Sequence, residues 1–187
     1  MSKILFLNAC VRPESRTYIL AQHVLDKMDG IIEEVKLERE QIMPLNWETL
    51  QKRDIYSQNH DFSAPMFRYA HQFVDADEIV IAAPYWDLTF PASIRIYFEA
   101  VTVCGLSFKY ASDGTAQGLC KAKRIIYVTT AGGLISEYNL GYDYIKALCH
   151  IFYGIPEVIC YKAENLDIKG ANVKAIMENS IKEIGKR

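Results

Sequence analysis

The chain has 187 residues, half of them hydrophobic and 24% charged, with a formal net charge of −2. That length can bury a substantial core in one domain spanning 1–187. A near-neutral balance with no Lys/Arg-rich arm removes the electrostatic case for nucleic acid or an anionic membrane as partner. Five scattered cysteines (Cys10, Cys104, Cys120, Cys149, Cys160) form no Cys-x-x-Cys, and the four histidines form no His-x-x-x-His pair. This argues against a disulfide framework and leaves no legible metal site.

The N-terminus leads straight into a short apolar strand, Lys3–Asn8, too brief for a signal peptide or a membrane span, so a cytoplasmic location is expected. Helical spacing follows from about Ser15 to Met28, with Ile19, Val24, Leu25 and Met28 apolar. Ile31–Glu38 alternates as a half-buried strand does. The polar stretch to Ser63 predicts only a short helix at Glu48–Asp54. Met66–Asp75 reads as a helix and Glu78–Ala83 as a buried third strand that stops at Pro84. From Pro91 to Val103, Ile94, Tyr97, Phe98 and Val101 recur at helical spacing, with Pro91 suited to the first turn. A loop around Ser112-Asp113-Gly114 precedes strand four, Arg124–Thr129. A helix over Tyr138–Tyr153, ending near Gly154, strand five at Glu157–Tyr161 and a helix over about Gly170–Ile184 complete the chain. Strand–helix alternation repeated five times predicts a doubly wound parallel sheet with right-handed crossovers.

In such sheets ligands sit beyond the carboxyl ends of the strands, and three loops there carry chemistry. After strand one, Asn8 to Thr17 contains no Gly-x-Gly-x-x-Gly and no nucleotide-triphosphate loop, which excludes a dinucleotide-binding Rossmann site and a P-loop. Asn8-Ala9 and Pro84 stand where a response-regulator receiver needs carboxylates, and no nucleophile elbow or Ser/His/Asp constellation is legible. Ser15-Arg16-Thr17 opens helix one, where hydroxyls and free N–H groups make an anion site, or simply an ordinary cap. After strand three, Pro84-Tyr85-Trp86-Asp87-Leu88 places two aromatics where a flat ligand can be gripped. After strand four, Thr130-Ala131-Gly132-Gly133 offers backbone that a ligand can approach closely, or a turn. Phosphate donors, aromatic and amide groups, and open backbone converging on one sheet edge are the parts an FMN site needs.

Taken in order, the Ser-x-Thr of Ser15–Thr17, the Ala83-Pro84-Tyr85-Trp86-Asp87-Leu88 loop, Tyr97-Phe98-Glu99, Ser107-Phe108-Lys109-Tyr110, Gly114 to Gly118 and Thr130–Gly133 resemble the FMN-dependent NADH-azoreductase and NAD(P)H:quinone oxidoreductase family. The resemblance covers nearly the whole chain and is strongest from Ile79 to Gly133. It implies a flavodoxin-like, five-stranded sheet of order 2-1-3-4-5 with helices on both faces. It further implies that Ser15, Arg16 and Thr17 hold the FMN phosphate. Pro84, Tyr85, Trp86, Asp87 and Leu88 then run along the flavin, with the backbone of Asp87 and Leu88 at N5 and the pyrimidine edge. Thr130, Ala131, Gly132 and Gly133 border its other side. The expected reaction passes hydride from NADH or NADPH through flavin N5 to a quinone, azo or similar flat acceptor, with no catalytic side chain. A homodimer through the Pro91–Val103 helix is also implied, against the alternative of a monomer whose own loops cover that helix. The chain departs from the family at two places: Ala9 replaces a frequent Ser, and Ile135 stands where a His often lies near the flavin C2 carbonyl. A one-electron carrier like a true flavodoxin and a non-catalytic flavin-binding module are the competing functions.

Overall fold

The computed structural model describes residues 1–184. Its elements in chain order are β1 (Lys3–Asn8), α1 (Arg16–Leu25), β2 (Ile31–Lys36), α2 (Trp47–Gln58), α3 (Arg68–Asp75), β3 (Glu78–Ala82), α4 (Ala92–Val101), β4 (Phe108–Tyr110), β5 (Ala116–Gly118), β6 (Arg124–Thr130), α5 (Leu140–Leu148), β7 (Glu157–Ala163) and α6 (Val173–Glu183). A five-stranded parallel sheet runs β2-β1-β3-β6-β7. This is the expected 2-1-3-4-5 order once the separate β4–β5 hairpin is set aside.

The sheet's apolar runs serve both faces because successive side chains alternate sides. Leu5, Leu7, Ile79, Ile81, Ile125 and Tyr127 point into a core shared with α3, α4 and α5, in which Phe73, Tyr97, Phe98 and Ile145 are buried. Ile4, Phe6, Val80, Ala82, Ile126 and Val128 point into a second core under α1 and α6, with Leu20, Val24 and Ile184. The α4 residues Ile94, Tyr97, Phe98 and Val101 are all buried within the chain, Phe98 meeting Phe73, Phe90, Tyr144 and Tyr153 through ring contacts.

Several boundaries differ from the sequence expectations for local reasons. Helix one starts at Arg16 because Ser15 caps it, its side chain accepting the Tyr18 N–H. Ile19, assigned to its apolar face, is exposed. The short helix expected at 48–54 extends over Trp47–Gln58, started by a reciprocal Asn46/Thr49 capping box. The loop around Gly114 is the tip of the β4–β5 hairpin, where the Asp113 side chain accepts from the Thr115 N–H and hydroxyl. The helix expected over 138–153 begins at Leu140, capped by Asn139, and loosens into a π-turn at Cys149–Tyr153 before left-handed Gly154. No helix among the described residues is long and apolar enough to cross a membrane.

Candidate functional site

The carboxyl ends of β1, β3, β6 and β7 open on a cavity of about 740 Å³, within the size range of small-molecule and cofactor pockets. It lies beside the point where the strand order reverses, between β1 and β3. β1 ends at Asn8, buried and fixed by donating to Glu34 Oε1 at 2.7 Å and accepting from the Cys10 N–H at 2.9 Å. The following loop, Val11 to Glu14, lines one wall and delivers the N-terminus of α1. Ser15 takes the Tyr18 N–H and the Ser15 carbonyl takes the Ile19 N–H. The Arg16 and Thr17 N–H groups lie in the turn that has no intrahelical acceptors, and that turn carries no acidic residue. An anion is the natural complement of such a helix end.

Hydrogen bonds join the loops. Thr17 Oγ1 and Thr130 Oγ1 are 2.6 Å apart, tying α1 to the end of β6. The Tyr85 N–H donates to the Thr130 carbonyl at 3.1 Å, so the β3 loop is carried forward against β6. Tyr85 Oη donates to the Tyr138 carbonyl at 2.8 Å, and the Leu140 N–H to the Leu88 carbonyl at 3.1 Å. The aromatic loop is therefore strapped to the start of α5. Within it, Trp86 and Thr89 exchange two backbone hydrogen bonds around Asp87 and Leu88, whose φ values of 49° and 69° are left-handed. This is the geometry of a tight hairpin turn, built here without the glycine such turns favour.

Of the twelve residues singled out in the sequence, nine line this cavity: Ser15, Arg16, Thr17, Pro84, Tyr85, Trp86, Thr130, Ala131 and Gly132. Asp87 and Leu88 sit beyond the lining with exposed side chains, and Gly133 is also exposed, with nothing within 4 Å of where a Cβ would stand. Gly132 is different, because a Cβ there would lie 2.4 Å from Asp167 Oδ2. Asp167 belongs to the loop after β7, which no motif in the sequence marks. That loop is stitched to the Gly-Gly segment by Asn165, Leu166 and Asp167 N–H groups donating to Gly133, Ala131 and Gly132 carbonyls. Asp167 Oδ1 accepts from Arg16 Nη1 at 2.7 Å, and the Leu166 carbonyl accepts from the same nitrogen at 3.3 Å. Leu166 and Asp167 thus complete the lining. The one available clue to them was the Gly-Gly pair, which leaves room for a neighbour.

The two departures from the family pattern are both packing positions. Ala9 and Ile135 are buried at 1% exposure, and the Ile135 N–H donates to Glu164 Oε1. Burial pushes the thiol of Cys10, the residue before the cavity-lining loop, up to about 11, with a weaker opposing pull from a hydrogen bond with Ser15, and so disfavours its thiolate.

Residues 2–187 match the family model described as flavodoxin-like fold. The chain is 34% identical over 195 residues to an FMN-dependent NADH:quinone oxidoreductase of Clostridium acetobutylicum, covering 98% of this chain and 96% of that one. It is 34% identical over 194 residues to an FMN-dependent NADH:quinone oxidoreductase of Clostridium beijerinckii, covering 97% and 95%. The crystal structure of an azoreductase from Bacillus anthracis superposes with a TM-score of 0.86 at 22% identity over 100% of this chain and 98% of that chain, a likeness of fold. With its cavity walled by loops from β1, β3, β6 and β7 and its full length matched, the chain belongs to the flavodoxin-like family that includes the FMN-dependent NADH:quinone oxidoreductases.

Proposed function

We propose that this protein is a cytoplasmic, FMN-dependent NAD(P)H oxidoreductase acting on a quinone, azo compound or similar flat acceptor, with 1–187 working as one FMN-binding domain. The observation that carries the reading is the convergence of an anion-ready helix N-terminus, an aromatic wall and an open backbone edge in a single cofactor-sized cavity. The donor set fits FMN, because hydroxyls and uncommitted N–H groups stand at one end and planar aromatic side chains at the other. When bound, FMN supplies the ring that takes hydride from NADH or NADPH and yields it to the acceptor.

The chain's own residues bind, orient and exclude water. Ser15, Arg16 and Thr17 hold the phosphate, the helix end compensating its charge. The Thr17–Thr130 hydrogen bond fixes the separation of the two loops that flank the cofactor. Pro84, Tyr85 and Trp86 form the wall along the ring, and the Asp87–Leu88 turn offers backbone groups at its reacting edge. Ala131, Gly132 and Gly133 border the opposite side. Preorganised backbone dipoles, rather than a titrating side chain, stabilise charge developed on the ring. Trp86, 41% exposed at the cavity mouth, meets the acceptor.

All five cysteines are free, as suits a reducing compartment. Trp47 and Ile55 are 72% and 59% exposed on α2, a helix tied to α4 by Arg53 Nη1 donating to the Glu99 carbonyl at 3.2 Å, and this apolar surface suits a homodimer. Light scattering at twice the monomer mass supports that assembly, and a monomer mass contradicts it. The activity is tested by steady-state NADH and NADPH oxidation with a benzoquinone acceptor, before and after loading with FMN. Turnover that requires both FMN and acceptor is expected, and none with either nucleotide rejects the oxidoreductase reading.

A further inference from the structure

Arg16 opens the helix that faces the cavity, yet its guanidinium is already engaged. Nη1 is held by Asp167 Oδ1 at 2.7 Å and by the Leu166 carbonyl at 3.3 Å, so a strap crosses from the β7 loop to α1. The carboxylate is set there by the backbone, because the Asp167 N–H bonds the Gly132 carbonyl at 2.9 Å and its neighbour Leu166 bonds Ala131 at 3.2 Å. It also lies on the bare face of Gly132, where a Cβ would come within 2.4 Å of Oδ2. With no acid in the first turn of α1, the carboxylate on Arg16 is brought in from a loop 151 residues away. Both side chains line the cavity and are partly open to solvent, at 40% and 68%.

The geometry points to Asp167 as an internal competitor for Arg16, a carboxylate standing in for phosphate at the helix end, which selectively weakens the grip on the phosphate of FMN and lets the flavin exchange. This inference rests on the flavin reading above and names a regulator of that same site. A phosphate entering beside Arg16 either displaces the carboxylate from Nη1 or shares the guanidinium with it and sits near a like charge, and both effects oppose binding. Riboflavin, which has the same ring and no phosphate, meets neither. Arg12 and Glu14 also line the cavity, one of each sign, so they do not reverse the balance.

The test is a titration of the full-length apoprotein with FMN and with riboflavin, followed by flavin fluorescence, in the wild type and in Asp167→Asn. The neutral isostere keeps the shape and should lower the Kd for FMN by roughly three- to tenfold while riboflavin moves by less than about twofold. Asp167→Ser provides a second variant if the first is poorly folded, and added salt should narrow the FMN difference. An FMN Kd that is unchanged or raised overturns the inference and would make Asp167 a neutral or positioning partner of Arg16. An equal gain for riboflavin overturns it too, since the effect would not pass through the phosphate. A wild-type chain that binds neither flavin instead rejects the flavin reading, and the inference falls with it.

Discussion

At the scale of the residue, Trp86 is where the proposed flavin wall and the proposed acceptor contact can be told apart. It lines the opening while much of its ring stays exposed, and its backbone, not its side chain, carries the turn through the exchange with Thr89. Trp86→Ala should therefore raise the acceptor KM, by about three- to tenfold, more than it weakens FMN retention. Equal loss of flavin affinity would make it a flavin-packing residue. The adjoining Asp87 and Leu88 illustrate what a sequence conceals. Leucine is a poor occupant of left-handed backbone, so nothing in Asp-Leu signals the tight turn that the hydrogen bonds at Trp86, Thr89 and Leu140 impose. Asp167 was equally hidden, because its role depends on Arg16, a partner distant in the chain, and no local motif marks it. Ser15, by contrast, was legible as the start of a helix from its residue type alone.

At the scale of the element, the five strands of the sheet were readable because four are apolar runs bounded by polar or turn residues and β2 mixes apolar with charged residues at the sheet edge. The β4–β5 hairpin was not, since its strands have three residues each and take their support from outside the main sheet. That support is the π-turn after α5. Gly118 is pressed onto it so closely that a Cβ would lie 2.1 Å from the Tyr153 carbonyl carbon and 2.2 Å from the Gly154 nitrogen. Phe108 packs on Phe152 at 4.8 Å, and Thr102 Oγ1 meets the Tyr153 hydroxyl at 2.6 Å. Backbone cannot give way as a side-chain tip can, so Gly118→Ala should cost about 2–3 kcal/mol or more in urea unfolding. A loss below about 0.5 kcal/mol would mean that the hairpin does not rest on the π-turn as described. The widened helical turn has no sequence signature, whereas the left-handed residue that ends it, Gly154, was visible as a stop.

At the scale of the whole molecule, two cores on either side of one sheet bury thiols as well as hydrocarbon. Burial raises Cys10 and Cys160 to about 11 and Cys120 and Cys149 to about 12, against an ordinary value of 9.0. The unfolded chain thus releases these protons first as pH rises, and the folded chain retains them. Stability should be full below pH 9 and fall progressively as pH climbs from 9 toward 11 and 12. Buried Tyr97, Tyr127 and Tyr153, also raised, act in the same direction. A urea midpoint that stays level across that window would contradict this account. The sheet order and the sheet edge bearing the site were both accessible from alternation and loop chemistry. The β7 loop that closes the site was not, because its contribution exists only after the strands are assembled. The most direct test of the proposed flavin chemistry is anaerobic mixing of the FMN-loaded protein with NADH, then with a quinone, while the visible flavin spectrum is followed. The account predicts bleaching by NADH and recovery on adding quinone. A protein that retains FMN but keeps it oxidised with both NADH and NADPH would contradict it.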